Sequence, residues 1–582
     1  MMKPIGVSLI AGLVAVGAVA MMPEAALVEG QLREGGIPVT NQAVIESCAA
    51  CHAVDDQGMM SRISYMRKTP EGWQASLHRM VGLQGLQIEP EQAQEIVRYL
   101  SNEHGLAPEE LRPGLWDVER RTRADRYPHE VTLRTCTACH SMGRTITQRR
   151  SAEEWDLLMD THRGYYPLID NQRLRSNAGF GPSAQHPVEE ALEHLREAYP
   201  LQTAAWAAWS ASARTPRLEG RWTLEGWEPA RGPVFGTLEI QAVAGSPEQF
   251  TTRATYHYPR EGTHVVREGE ARVYTGYQWR GRSQETSESS APPATAEVSA
   301  SGELREVMFL EPGQGELHGR WFTGAHDELG LEVRLRRARS DPVVAGVYPR
   351  MLRSGGGEQE VRVYGANLPE SAGEADLDLG PGVELVTVES AHADSLIVRV
   401  RVEEDSRTGH RTASVNGATL TDALVVFDRV DYMKVEPEAG MARIGGIAMP
   451  RQFERYEAIG YHAGADGVPG TELDIRIGPL DVAWELAEYP LTFADDDAEF
   501  VGTIDGSGLF TPGIDGPNPE RPGNRNNMGD VWVVARYTPP DGEGPALEAR
   551  GYLLVTTPIY IRWDPSEVME GPGMRLLDDP LM

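Results

Sequence analysis

Two short stretches hold residue types whose spacing could do chemistry. They are Cys48-Ala49-Ala50-Cys51-His52 and Cys136-Thr137-Ala138-Cys139-His140, each reading C-x-x-C-H. Two thiols three residues apart on a helical turn can each bond a vinyl group of a haem. The histidine that follows then lies under the iron as proximal ligand. The same pattern also suits a C-x-x-C redox pair or half of a zinc site with a chance histidine. Two copies in a chain with no other cysteine favour two covalently bound haems c. Cys48, Cys51, Cys136 and Cys139 would carry the thioether bonds, and His52 and His140 would be the iron ligands. All four cysteines are then used, and no disulfide framework is available.

The elements that must position these motifs occur twice. Thr40 can cap a helix leading into the first motif. After a loop, Met66-Arg67-Lys68-Thr69-Pro70-Glu71-Gly72-Trp73 sets Thr69 as N-cap and Pro70 at the first helical position. A third helix, Pro90 to Asn102, has Ile96, Val97, Tyr99 and Leu100 as its apolar stripe. Behind the second motif, Gln148-Arg149-Arg150-Ser151-Ala152-Glu153-Glu154-Trp155 aligns with Met66 to Trp73, and Ser151 with Glu154 reads as a capping box. A closing helix runs from about Val188 to Ala198. This order is that of a small cytochrome c, repeated over about 38–105 and 120–200 within a dihaem domain of 30–205.

The alignment also nominates the sixth ligands. Met80 stands seven residues after Trp73, and His162 seven after Trp155. A step of seven is nearly two helical turns, so each pair shares a face. Haem one would be held by His52/Met80 and haem two by His140/His162. Methionine ligation raises the potential, so the haems would differ and electrons would have a direction. Met80 could instead be a core methionine, with Met59, Met60 and Met66 as rivals; His162 could be a surface histidine, with Met142 and His186 as rivals. Arg67, Lys68, Arg149 and Arg150 are either helix-entry positives near haem propionates or a solvated face.

The N-terminus reads as a targeting segment. Lys3 precedes the uncharged apolar run Ile5–Met22, and Ala18-Val19-Ala20 is a small-x-small cleavage site. A cleaved signal peptide over 1–22, with an uncleaved anchor as the alternative, implies export to the periplasm, where c-type haem is attached, with no membrane span remaining after cleavage. The net charge of −31 over 582 residues argues against nucleic acid and anionic membranes as partners. It suits solubility after export, or steering of a basic redox partner.

The rest of the chain is read as all-β, in keeping with 61 glycines and 40 prolines. Alternating stretches between 214 and 340 predict one antiparallel barrel, filled by side chains rather than hollow. They include Thr263–Glu270, Ala271–Arg280 and Ala296–Ser301, and Gly-Arg-Trp recurs at 220–222 and 319–321. Residues 341–429 predict an immunoglobulin-like sandwich of the IPT kind, and 430–570 a second Ig-like sandwich closing with Ile559–Arg562. The Gly/Pro/Asn-rich loop 515–527 reads as a surface or interface arm. Asp495-Asp496-Asp497 could ligate calcium or form a solvated turn. No hydrolytic triad, phosphate loop or H-E-x-x-H is present.

The tandem C-x-x-C-H units, the Arg67-to-Trp73 stretch and three β domains in this order resemble the α subunit of quinohaemoprotein amine dehydrogenase. The likeness spans essentially the whole mature chain. It implies a multidomain fold: a dihaem cytochrome c domain, expected to be all-α, followed by a β-barrel and two Ig-like sandwiches. It implies a periplasmic heterotrimer with a propeller β subunit and a small γ subunit. The γ subunit would hold cysteine tryptophylquinone, which oxidises primary amines to aldehydes and ammonia. The haems, one bis-histidine and one histidine/methionine, would pass electrons to a soluble cytochrome c or blue-copper acceptor. The residues agree on one point independently: the quinone needs a cysteine, and this chain has none to spare. A stand-alone dihaem electron carrier or redox sensor, with β domains binding a protein or polymer, is the competing reading. A dihaem peroxidase needs an openable sixth position, which Met80 and His162 argue against.

Overall fold

A computed structural model describes residues 35–115, 127–137, 140–166, 169, 186–213, 215–290, 302–323, 329–447, 449–489, 495–540, 542 and 544–557. The signal segment 1–22, Cys139, the strand expected at Ala296–Ser301 and that at Ile559–Arg562 lie outside these residues.

The first region carries helices α1 (Gln42–Cys48), α2 (Pro70–Gln84), α3 (Pro90–Glu103), α4 (Pro108–Leu111), α5 (Glu130–Cys136), α6 (Gly143–Ile146), α7 (Ala152–Tyr165), α8 (Pro187–Ala198) and α9 (Ala204–Ser212). Each long helix starts where its side chains allow. Thr69 Oγ1 accepts from Gly72 N at 3.2 Å with Pro70 at the first position, and Ser151 Oγ accepts from Glu154 N at 3.2 Å. The cap of α1 is Asn41 rather than Thr40: its Oδ1 accepts from Val44 N at 3.0 Å. Thr40 instead meets the Tyr99 hydroxyl.

The region is not purely helical. Strands β1 (Met66–Lys68) and β2 (Gln148–Arg150) pair antiparallel, with Arg67 opposite Arg149. These are equivalent residues of the repeat, so the two units meet about a local two-fold axis through that pair. The stretches expected only to lead into helices become strands because they find each other, a contact absent from either repeat alone. The scaffold around the axis is duplicated in detail. Trp73 Nε1 donates to His104 O at 3.0 Å and Trp155 Nε1 to Tyr199 O at 3.0 Å. The same carbonyls accept from Lys68 N at 3.0 Å and Arg150 N at 3.3 Å. Lys68 lies 5.0 Å over the Trp73 ring and Arg150 lies 5.7 Å over the Trp155 ring.

Strands β3 (Gly220–Glu228), β4 (Gly232–Val243), β5 (Ser246–Tyr258), β6 (Thr263–Tyr274), β7 (Gln278–Glu285), β8 (Glu303–Leu310), β9 (Glu316–Thr323) and β10 (Leu329–Arg337) form a closed barrel, β10 pairing with both β9 and β3. Its interior is filled by Trp222, Trp279, Trp321, Phe250, Phe309 and Tyr256 with aliphatic neighbours. The boundary expected between 270 and 271 falls instead at Thr275-Gly276, where φ is 53° and 77°. Left-handed backbone at both residues makes the tight turn, and the apolar run on either side concealed it. The first region closes this end of the barrel. Leu106 and Leu111 join the barrel core, Tyr277 OH donates to Leu106 O at 2.9 Å, and Arg280 pairs with Glu71 at the start of α2.

Beyond the barrel, the sheet of Val343–Tyr348, Glu358–Ala366, Ser395–Val402 and Val383–His392 packs on that of Met351–Arg353, Ala418–Phe427, Gly409–Val415 and Leu377–Asp378 around one apolar core. The last region holds three small sheets. There the loop 515–527 lies at the surface, as expected, and is pinned through Arg521. The buried Arg521 guanidinium bonds Asp496, Asp497 and the carbonyls of Asn526 and Met528. Two of the three aspartates are therefore partners of Arg521, although the carboxylates of Asp495, Asp496 and Asp497 still lie within 4.8 Å of one another, close enough to hold a cation.

Candidate haem-binding site

The first motif continues α1 through one more helical turn. Cys51 N and His52 N both donate to Cys48 O, at 3.1 and 2.9 Å. Cys48 is half-buried and Cys51 exposed. Burial and the neighbouring Cys51 push the Cys48 thiol up to about 11. That is opposite to the low-pKa thiolate of a reactive C-x-x-C redox pair. His52 Nδ1 donates to Ser61 O at 3.0 Å. In the second unit α5 ends at Cys136, half-buried, and His140 Nδ1 donates to Ser141 O at 2.8 Å. On α7, His162 Nδ1 donates to Leu158 O at 2.8 Å.

These three bonds share one consequence. A backbone carbonyl can only accept, so Nδ1 must carry the proton at His52, His140 and His162. Nε2 is left with its lone pair, the state a neutral imidazole needs to ligate iron. His140 and His162 are also neighbours. Burial, then Arg144 and His162, lower the His140 imidazole to about 4, and burial with Arg150, Arg79 and Arg144 lowers His162.

Met80 lies on α2 on the same face as Trp73 and Leu77, half-buried, and is not part of the apolar core of its unit. Its rivals are placed otherwise. Met60 and Met66 are buried in that core beside Trp73 and Leu77, and the Met59 sulfur packs on Gly36. In the second unit Met142 is buried, and the His186 ring accepts from Val188 N as the cap of α8.

Four family models of the quinohemoprotein amine dehydrogenase alpha subunit match the chain in order: the haem-binding domain over 39–206, domain II over 215–338, domain III over 341–428 and domain IV over 433–568. The chain belongs to the quinohemoprotein amine dehydrogenase alpha subunit family. No curated protein matches it. Among solved structures, a redesigned β-barrel bound to DFHBI is 16% identical, covers 21% of this chain and 94% of its own, and gives a TM-score of 0.17. A de novo designed fluorescence-activating barrel is 19% identical over 21% of this chain and 93% of its own, with a TM-score of 0.15.

This alpha subunit thus has a haem-binding domain, and the imidazole states of His52, His140 and His162 fit that cofactor. The four basic residues once grouped together divide into two pairs. Arg67 and Arg149 turn to Glu110: Arg67 Nη1 lies 2.6 Å from Oε2, and Arg149 Nε lies 3.3 Å from Oε1. Arg67 spends its other donors on Leu201 O and Gly105 O. Burial would raise the Glu110 carboxyl, but the bonds and charges of the two arginines hold it below its usual range. This pair is therefore structural. Lys68 and Arg150 point to the other side, where Arg62, Arg79 and Glu154 gather. Glu154 does not complete the capping box: its carboxylate takes Arg62 and Arg150, and Ser151 N donates to Tyr65 O at 3.1 Å.

Sequence reasoning missed Glu110, which bridges Arg67 and Arg149 across the β1–β2 pair, and His104, which is fully buried between Trp73 and Tyr99. Glu110 reads locally as one acid of a Pro-Glu-Glu helix start. Only the pairing of β1 with β2 gives it two arginines to bridge.

Proposed function

We propose that this chain is the electron-transfer subunit of a periplasmic amine dehydrogenase. It carries two covalently bound haems c, attached at Cys48/Cys51 and Cys136/Cys139 and ligated by His52/Met80 and His140/His162. Family membership supports the assembly: a quinone-bearing γ subunit, a propeller β subunit, and an external cytochrome c or blue-copper acceptor. The observation that carries the ligand assignment is the pair His140 and His162, neighbours that each commit Nδ1 to a backbone carbonyl. Haem, when bound, supplies a one-electron centre. The chain's residues hold the imidazoles in the ligating tautomer and place a thioether, Met80, where the second unit has an imidazole. Amine oxidation to aldehyde and ammonia takes place on the quinone-bearing chain. Among the described residues no helix is long and apolar enough to cross a membrane.

The native complex tests this. A small quinone-staining chain should co-purify, and a primary amine should reduce the haems; the absence of both returns the chain to a stand-alone carrier. Met80→Ala should shift the potential of one haem alone. A shift of both, or of neither, rejects Met80 as a ligand.

A further inference from the structure

One face of the β1–β2 pair is electrically complete and the other is not. On the first, two arginines share Glu110. On the second, Arg62, Lys68, Arg79 and Arg150 gather; among the described residues Glu154 is the carboxylate that faces Arg62, Lys68 and Arg150, while Arg79 has Arg144, Tyr165 and Tyr166 about it. Arg62 Nε lies 2.7 Å from Glu154, and Arg150 Nη1 lies 3.5 Å away. Lys68 Nζ and Arg79 Nη2 both turn to the Ser76 hydroxyl, at 2.6 and 3.2 Å. The side chain of Lys68 is almost wholly buried, as is that of Arg150. Burial and then the neighbouring Arg150 and Arg79 charges hold the Lys68 ammonium well below the lysine range.

Buried cations persist where they are paired or meet an anion from elsewhere. The place of this cluster identifies the anion. Arg150 and Arg79, with Arg144, are the cations around His162. A haem held by His140 and His162 brings two carboxylates of its own, and arginine is the side chain best matched to a carboxylate. We propose that Lys68, Arg79 and Arg150 bind the carboxylates of the haem in the second unit, so that Arg79, a residue of the first unit, helps set the potential of the second haem. This rests on the two-haem reading above.

The test uses the intact native complex and spectroelectrochemical titration of both haems in Arg79→Gln, Arg150→Gln and Glu154→Gln. Removing a cation beside the haem disfavours the reduced, more negative state. Arg79→Gln and Arg150→Gln should therefore lower the midpoint of the bis-histidine haem and leave the methionine-ligated haem in place. Glu154→Gln should raise that same midpoint, and Arg79→Lys should keep the wild-type value. General damage would move all variants in one direction. An unmoved bis-histidine haem, equal shifts of both haems, or a common direction for Arg79→Gln and Glu154→Gln would overturn the proposal. Arg79 is only half-buried, so its variant remains informative if Arg150→Gln does not fold. A pyridine haemochrome assay separates the failures. Fewer than two c-type haems per chain rejects the reading beneath; two haems with unmoved potentials reject the cluster alone.

Discussion

The two repeat units of the haem-binding domain share a scaffold and differ at the positions proposed as sixth ligands. Each holds its middle helix by a tryptophan donating to the carbonyl at the end of its closing helix, under a basic side chain stacked on the same ring. Each caps that helix with a hydroxyl. The differences are few. Where the second unit has His162 the first has Met80, and where the second has Tyr199 the first has the buried His104. Duplicated features report how the units stand up. The departures from the duplication are where two otherwise equal sites acquire different properties.

The comparison breaks most sharply at the axis the units share. Glu110→Ala leaves Arg67 and Arg149 buried without their carboxylate, which should cost about 3–5 kcal/mol. The loss should appear in denaturant unfolding followed by the helical circular dichroism signal, which arises mainly in this region. A loss below about 1 kcal/mol would mean that the units do not depend on this clamp.

His104 sharpens the contrast through pH. Burial, then the Arg67 charge, lowers its imidazole from 6.5 to about 4. Between those values the unfolded chain binds a proton that the folded one refuses. The contribution is thus complete above pH 6.5 and is lost as pH falls toward 4, by up to about 3 kcal/mol. His104→Tyr, which copies the second unit, should flatten the fall in stability between pH 7 and 4.5. An unchanged slope would remove His104 from the account.

Smaller effects test the duplication itself. Trp73→Phe and Trp155→Phe each delete one donor to a carbonyl that keeps its backbone partner. Each should cost about 1–2 kcal/mol, by similar amounts. Thr69→Ala and Ser151→Ala should each cost about 1 kcal/mol in the same unfolding assay. A several-fold inequality within either pair would show that the symmetry is geometric but not energetic.

Much of the local structure was legible because it depends on near neighbours in the chain. Thr69-Pro70 and Ser151 start helices by satisfying their own first turns, and the alternation between 214 and 340 led to a closed, filled barrel. Errors arose where a distant partner intervened. Glu154 stands at the capping-box position but is drawn off by Arg62 and Arg150. Asn41 displaces Thr40 as cap once Tyr99 engages Thr40. The aspartate triplet reads locally as a cation site or a solvated turn, and only the fold brings Arg521, from a loop read as a surface or interface arm, onto two of its three carboxylates.

The sequence by itself determined the two C-x-x-C-H stretches, the repeat, and the positions at which that repeat departs from itself. Those depend on residue identity and spacing, which are written in the chain. Only the tertiary structure decided what the basic residues do. Strand pairing sends Arg67 and Arg149 to one side and Lys68 and Arg150 to the other. Adjacent residues on a strand point to opposite faces, so one pair meets a carboxylate supplied by the chain. The other pair meets a lone glutamate that it shares with Arg62, with Arg79 close by, too little charge for the cations gathered there.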